Sequence, residues 1–203
     1  MFVSIVTKGG IQPLCVTGML EARMAWAGRV AFEAERYSGI SLARDAAAIK
    51  FVESGASHWL SVDDDQAWDV AAAEKLIDLN VDIALGVYCT KDDKCEPVLR
   101  PVPATKPAGP WTLNGGGGGF QLVKRGAIVR LLDEHRNSRY RLYDGREVVA
   151  LHQQFFHRDG YQGEDTALHA RWRDVGGLVW AHPDAIVGHC SREDITKVYY
   201  PKW

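Results

Sequence analysis

Trp59-Leu60-Ser61-Val62-Asp63-Asp64-Asp65 is the stretch of sequence that decides the fold. Its first four residues are typical of a short buried strand, bounded upstream by Gly55 and Ser57. Because side chains two apart on an extended chain point the same way, Asp63 and Asp65 can face one point. Two ionised carboxylates at such a short distance repel each other unless a cation lies between them. Mg²⁺ or Mn²⁺ carrying phosphate oxygens is such a cation, and an acidic turn is the alternative.

Strand-like runs alternate with helical patterns along the rest of the chain, which predicts an α/β fold with a mostly parallel sheet flanked by helices. Gly55 is the expected stop of the second helix. The predicted strands cover residues 2–6, 59–62, 81–87, 120–123, 148–156 and 178–181, and the predicted helices cover 14–33, 41–54, 69–79, 125–135 and 163–175.

The bulk properties favour one domain over residues 1–203. Hydrophobic content of 46% and charged content of 25% are ordinary for a globular protein. The net charge of -2 argues against bulk electrostatic coating of nucleic acid, although a local basic face remains open. No apolar run spans a bilayer, and the first residues form a strand pattern without a basic segment before it. We therefore expect no membrane partner, a cytoplasmic location and reduced cysteines.

Two segments break the regular pattern. Residues 96–118 are rich in proline and glycine and are expected to form an excursion over the sheet, with the unbroken glycine run 115–119 at its end. That run lets backbone approach a ligand closely, but it lacks a P-loop ending, and a flexible hairpin connection is the more ordinary interpretation. The tail, residues 190–203, is a possible lid.

Further candidate groups fall at strand ends and one helix start. Thr7 and Lys8, the Asp triplet and the Cys89-Thr90-Lys91 segment each follow a predicted strand, where open α/β sheets bind ligands. Glu164 and Asp165 open a helix, so they either cap it or place Asp165 as a general base held by Glu164 or by the helix end. His189 is a structural histidine or completes a metal shell begun by Asp65. The arginines and tyrosines of residues 136–146 suit phosphate contacts, but a solvated face is the favoured interpretation.

Taken in order, these pieces resemble a known family. The chain is similar to the small nucleotide-sugar glycosyltransferases of the GT-A fold, akin to the inverting family-two enzymes found in bacteria and bacteriophages. The segments that carry the resemblance are Thr7-Lys8-Gly9, Ile40 to Asp45, Phe51 to Ala56, Leu60 to Asp65, Gly86-Val87-Tyr88, the glycine run into Phe120, Gly163-Glu164-Asp165 and Gly188-His189.

The resemblance implies a role for each matched residue. Thr7 and Lys8 would line the base pocket of a UDP-sugar, and Arg44 would support the donor pocket. Asp63 would bind the ribose side or join Asp65 as a ligand of Mn²⁺ or Mg²⁺. Alternatively, Asp64 and either of its neighbours would form the acidic pair. The remaining implied roles are His189 as a further metal ligand, Gly117, Gly118 and Gly119 beside the donor sugar, and Asp165 as the base that deprotonates the acceptor, next to Glu164.

Metal-dependent, inverting transfer from a UDP-glucose-like donor to an acceptor hydroxyl is therefore the expected activity, in a bacterial or phage-infected cell. The acceptor is either a glycan or a hydroxymethylated base in phage DNA. The alternatives are a nucleotidyltransferase and a non-catalytic module that binds nucleotide sugars. Asp45 departs from the family, whose members usually carry Arg-Asn where this chain has Arg44-Asp45, and five consecutive glycines suggest a loose sugar pocket.

Overall fold

A computed structural model describes residues 1–7, 9–36 and 39–203. Its helices are α1 (Pro13–Ala25), α2 (Ile40–Glu53), α3 (Val70–Asp78), α4 (Arg125–Glu134) and α5 (Glu164–Asp174). Its strands are β1 (Phe2–Thr7), β2 (Ala31–Arg36), β3 (His58–Asp63), β4 (Gln66–Ala67), β5 (Ile83–Val87), β6 (Leu99–Arg100), β7 (Trp111–Leu113), β8 (Gly115–Gly116), β9 (Phe120–Lys124), β10 (Arg139–Arg141), β11 (Glu147–Val149), β12 (Phe155–His157), β13 (Gly160–Gln162), β14 (Val179–Ile186), β15 (Gly188–Cys190) and β16 (Val198–Tyr199).

Seven of these strands form a central sheet in the order β2-β1-β3-β9-β5-β14-β7. Strands β1, β2, β3, β5 and β14 run in one direction, and β9 and β7 run against it. The prediction of an α/β fold with a mostly parallel sheet is thus confirmed. The carboxyl ends of the five like-directed strands lie at one edge of the sheet, where ligands bind in open α/β folds.

Both faces of the sheet are covered, which explains why its central strands are nearly continuous apolar runs. The side chains of β3 alternate: Trp59 packs on one face with Phe51 and Leu168, from α2 and α5. Leu60 and Val62 belong to a second apolar cluster, which includes residues of α1 and α3. The predicted period of two therefore holds along β3. It does not extend to Asp65, because Asp64 and Asp65 form the turn that leads into β4, as the acidic-turn alternative expects.

One predicted helix is wrong beyond its middle. Residues 14–33 were expected to be helical, but α1 ends at Ala25, Gly28 turns the chain with a φ of 71°, and β2 follows. The sequence of β2, Ala-Phe-Glu-Ala-Glu-Arg, consists mostly of good helix formers. Parallel pairing of β2 with β1 from Phe2 to Thr7 overrides that local preference.

The predicted strand 148–156 is also wrong in its centre, since β11 ends at Val149 and β12 begins at Phe155. The backbone N–H groups of Leu151 and His152 instead donate to Oδ1 of the buried Asp45, at 3.1 and 2.7 Å. Asp45 therefore holds the β10–β11 hairpin and the chain after it against α2, which gives a structural reason for the acid after Arg44.

The remaining predicted segments have defined places. The predicted final strand 178–181 extends to Ile186, and the tail returns to pair β16 with β15. The Trp203 ring lies 6.2 Å from that of Trp111, edge to face, so the tail packs on the body of the protein, and its role as a lid stays a prediction. Among the described residues, no helix is long and apolar enough to cross a membrane.

Candidate functional site

A cleft of about 580 Å³ opens at the carboxyl-end edge of the sheet. Its walls come from the ends of β1, β3 and β5, from the chain after β14 and from the start of α5. The residues that line it are Val6, Thr7, Ile40, Ala43, Asp63, Asp64, Asp65, Tyr88, Thr90, Lys91, Val98, Asp165, His189 and Arg192. The structure thus brings six of the twelve sequence-predicted site residues into one cavity: Thr7, Asp63, Asp64, Asp65, Asp165 and His189.

Arg44 lies behind the cleft with no exposed surface and joins two of its acids. Its guanidinium donates from Nη2 to both oxygens of Asp63, at 2.9 and 3.1 Å, and from Nη1 to Oδ1 of Asp165 at 2.6 Å. A planar guanidinium is suited to such forked contacts because its donors have fixed directions. Arg44 therefore fixes the distance between the end of β3 and the start of α5.

Asp165 is held from two sides while part of its carboxylate stays open to the cleft. Besides Arg44, the backbone N–H of Gly118 donates to Oδ1 at 3.3 Å. Burial alone would raise the pKa of Asp165, but Arg44 and Gly118 outweigh it and hold the pKa below its usual value. Among the described residues none donates a hydrogen bond to the Glu164 side chain, so the expected support comes from Arg44 and Gly118 instead.

Asp65 and His189 form the pair that best fits a divalent metal. Nδ1 of His189 lies 2.7 Å from the carbonyl oxygen of Cys89, which can only accept, so Nδ1 carries the proton. Nε2 is then the ring nitrogen left for a metal, and it faces Oδ1 of Asp65 at 3.5 Å. An imidazole oriented by a backbone carbonyl and a carboxylate oxygen is a donor set that Mn²⁺ or Mg²⁺ with phosphate can use.

The same geometry separates the roles of the triplet. Both oxygens of Asp63 accept from Arg44, so Asp63 is less free to bind a metal than Asp65. Within the described part of the chain, no group of three or more His, Cys, Asp or Glu side chains could hold a metal ion. The protein ligands Asp65 and His189 would thus have to be completed by oxygens of the donor or water.

Two cations contact the triplet: Lys91, in a segment that the sequence placed at a strand end, and Arg192, which sequence reasoning missed. Lys91 Nζ lies 2.5 Å from Oδ2 of Asp65, and Arg192 Nη2 lies 2.6 Å from Oδ1 of Asp64. Burial would raise the pKa of Asp65, but His189 and Lys91 outweigh it and lower the pKa. For Arg192 the available signal was position, since it comes three residues after His189.

The glycine run is a closely packed strip rather than a loose connection. A Cβ added to Gly117 would overlap the Tyr88 hydroxyl oxygen, and one added to Gly118 would lie 3.0 Å from Cζ of Arg44. At Gly119 the added atom would lie 3.0 Å from Oδ2 of Asp63. These glycines allow backbone to pass directly over the buried Arg44 and Tyr88, and the loose sugar pocket stays a prediction.

His169 supports this strip from beneath, a contact that the sequence did not reveal. The N–H of Gly116 points at Nδ1 of His169 at 3.4 Å, and Nε2 lies 3.0 Å from Oε1 of Gln121. The amide oxygen of Gln121 can only accept, so the buried ring is the neutral tautomer with its proton on Nε2. Burial lowers the pKa of His169 to about 3.

The other predicted residues have the following places. Thr7 ends β1, lines the cleft and accepts a hydrogen bond from the N–H of Gly9 at 3.1 Å. Lys8 lies outside the described residues. In the basic segment, Arg139 pairs with Glu147, and Arg146 pairs with Asp144. Nearby acidic side chains therefore neutralise much of the positive charge of this segment, as is typical of a solvated face.

Comparison with known proteins gives support at the level of the fold. Searches against protein-family models and curated proteins find no match. Among solved structures, the crystal structure of A197 from STIV is similar over 100% of this chain and 94% of that chain, with a TM-score of 0.62 and 16% sequence identity. At that identity the likeness supports the α/β architecture alone.

Proposed function

We propose that this protein is a metal-dependent, inverting glycosyltransferase that moves a sugar from a UDP-sugar, of the UDP-glucose kind, to an acceptor hydroxyl. The observation that carries the proposal is the bridge through Arg44, which ties Asp63 and Asp165 together at one cleft. Asp65 and His189 face the same cleft as a candidate metal pair. A donor diphosphate held between these groups would place its sugar beside Asp165 and the glycine strip.

Different residues of the chain would bind different parts of the donor. Thr7 and Asp63 end neighbouring parallel strands and supply hydroxyl and carboxylate groups for the nucleoside. Asp65 and His189 would hold the divalent cation, which when bound neutralises charge on the diphosphate oxygens. Gly117 and Gly118 would lie against the sugar, since they leave no side chain between it and the backbone.

Asp165 would act on the acceptor. An acceptor hydroxyl within hydrogen-bond reach of its carboxylate gives up its proton to that carboxylate as the hydroxyl oxygen bonds to the anomeric carbon. The bond from that carbon to the diphosphate oxygen breaks, and the nucleoside diphosphate leaves with the electron pair. Because its pKa is lowered, Asp165 is ionised at neutral pH and available to accept the proton.

The surface next to Asp165 offers a place for the acceptor. The β12–β13 hairpin leads directly into α5, and its Phe156 and Tyr161 side chains are 86% and 50% exposed with ring centroids 5.5 Å apart. Exposed aromatic pairs held on a rigid element are typical of binding surfaces for ring-shaped groups. The ion-paired arginines of the β10–β11 hairpin support a glycan acceptor over DNA, whose binding needs clustered unpaired cations.

Release of UDP from UDP-sugars in the presence of Mn²⁺ and candidate acceptors tests the proposal. We expect Asp165→Asn to lower transfer by roughly 100-fold or more, because the general base is lost, while UDP binding is retained. Asp133→Asn, an exposed change on α4, serves as the matched control. UDP binding without turnover in the unmodified protein would instead indicate a non-catalytic binding module, and release of diphosphate from nucleoside triphosphates would indicate a nucleotidyltransferase.

A further inference from the structure

Lys91 and Arg192 reach the acidic triplet from two different loops. Lys91 lies in the segment between β5 and β6, and Arg192 lies between β15 and β16. Lys91 Nζ contacts Oδ2 of Asp65 at 2.5 Å, and Arg192 contacts Oδ1 of Asp64 at 2.6 Å and Oδ2 of Asp65 at 3.5 Å. Two separate loops therefore place positive charge on the two carboxylates that follow β3.

These contacts occupy one oxygen of each of the two carboxylates that a metal ion would need. Asp64 is almost completely buried, and its Oδ2 has no hydrogen-bond partner in the described structure. Asp65 has one oxygen on Lys91 and the other facing His189. A divalent cation that bound to Asp65 alone would share a carboxylate with the Lys91 ammonium and lie close to the Arg192 guanidinium, which is electrostatically unfavourable.

The charges of the described cleft indicate what relieves that repulsion. Asp63 and Asp165 share Arg44, whereas Asp64 and Asp65 share Lys91 and Arg192. A bare divalent cation would add positive charge to a region that already contains these compensating cations. A diphosphate brought with the cation carries negative charge on each phosphate, so it offers Lys91 and Arg192 new partners as they leave the carboxylates.

We propose that Lys91 and Arg192 are internal counter-ions that the donor's diphosphate takes over, so that the metal and the nucleotide diphosphate bind to this cleft cooperatively. This inference rests on the proposed function. In the ligand-free protein both side chains neutralise Asp64 and Asp65. In the donor complex they contact phosphate oxygens, and the freed Asp65 carboxylate becomes available to the metal beside His189. By linkage, each ligand then raises the affinity for the other by the same factor.

Substitutions of Lys91 have effects of opposite sign on the two ligands. Lys91→Met keeps most of the side-chain volume and removes the charge, so we expect Mn²⁺ alone, measured by the loss of its free electron paramagnetic resonance signal, to bind roughly tenfold more tightly. The same variant should bind UDP in the presence of Mn²⁺ roughly tenfold more weakly, because a charged phosphate contact is lost. The coupling factor between Mn²⁺ and UDP should shrink accordingly.

Three comparisons make the test specific. Lys94→Met, an exposed change in the same loop, should alter neither affinity. Arg192→Met should repeat the pattern of Lys91→Met, whereas Arg192→Lys, which keeps the charge, should retain most of the coupling. Uridine, which lacks phosphate, should bind with the same affinity with and without Mn²⁺ in every variant. Circular dichroism of each variant confirms that it is folded.

The outcomes separate this inference from the proposed function. If UDP binds with Mn²⁺ but Lys91→Met and Arg192→Met leave the affinity for Mn²⁺ alone unchanged or weaken it, the counter-ion role is wrong and the donor site stands. If UDP does not bind to the folded unmodified protein with Mn²⁺, the proposed function fails, and this inference fails with it. Opposite changes in the two affinities support both.

Discussion

Arg44 is the residue on which the site depends most, because it is fully buried and charged and joins two carboxylates that come from distant parts of the chain. Burial works to lower the pKa of its guanidinium, but Asp63 and Asp165 outweigh that effect and raise the pKa. A buried charge is stable only with such partners, so loss of the bridge affects both the fold and the cleft.

Arg44→Lys tests the bridge, because lysine keeps the charge but cannot make the forked contact with Asp63 and reach Asp165 together. We expect the free energy of unfolding to fall by about 3 kcal/mol or more and UDP binding to weaken with it. Chemical denaturation measures the first effect and calorimetry the second. Arg136→Lys, at an exposed ion pair, should change stability by less than about 0.5 kcal/mol; a similarly small effect at Arg44 would contradict the account.

The lowered pKa of the buried His169 makes the stability of the protein depend on pH. In the folded protein its pKa is lowered from 6.5 to about 3, so between these values the unfolded chain binds a proton that the folded protein does not. The free energy of unfolding should therefore decrease as the pH falls through this window, by up to about 1.4 kcal/mol per pH unit from this residue. His169→Gln should show a smaller slope in denaturant titrations between pH 6 and pH 4, and an unchanged slope would refute the assignment.

At the scale of elements, the strip after β8 connects the donor side of the cleft to Asp165. Gly117 packs on Tyr88, Gly118 on Arg44 and Gly119 on Asp63, so a Cβ has no room at Gly117 and would displace the contacted side chain at Gly118 and Gly119. The N–H of Gly119 also donates to the Tyr88 hydroxyl at 3.1 Å. Small residues in this run are thus required by packing, whatever ligand the cleft binds.

Gly118→Ala and Gly126→Ala form a matched pair for this claim. An added Cβ at Gly118 would press on Arg44, whereas at Gly126, in the first turn of α4, nothing lies within 4 Å. We expect Gly118→Ala to destabilise the protein by about 1–3 kcal/mol and to weaken UDP binding, and Gly126→Ala to be neutral or slightly stabilising. Equal thermal unfolding midpoints for the two variants would contradict the close packing.

The elements also show where sequence reasoning succeeds and where it ends. The buried strand before the acidic triplet and the helix after Gly163 were predictable, because hydrophobic periodicity and capping signals are local. Strand β2 was missed since its helix-forming residues are held extended by pairing with β1. The contacts of Asp45 with Leu151 and His152 span more than a hundred residues, a separation that no local pattern encodes.

For the whole molecule, the direction of the strands explains why the candidate site could be anticipated in part. Parallel strands bring their carboxyl ends to one edge, so Thr7, the triplet and the segment that contains Lys91 were expected to converge without knowledge of any contact. Which cation partners each acid could not be predicted, because Arg44, Lys91 and Arg192 reach the triplet from α2 and two loops. These partners decide that Asp65 is freer for a metal than Asp63.

The central claim is that this edge of the sheet is a metal-dependent site for a nucleotide-sugar donor. Calorimetric titration of UDP and UDP-glucose, with Mn²⁺ and again with EDTA, tests it most directly in the unmodified protein, in Asp65→Ala and in the exposed control Asp133→Ala. The account predicts binding that requires Mn²⁺, that is lost in Asp65→Ala and that persists in Asp133→Ala. Absence of binding by the folded protein with Mn²⁺ for every nucleotide sugar tried would contradict the claim.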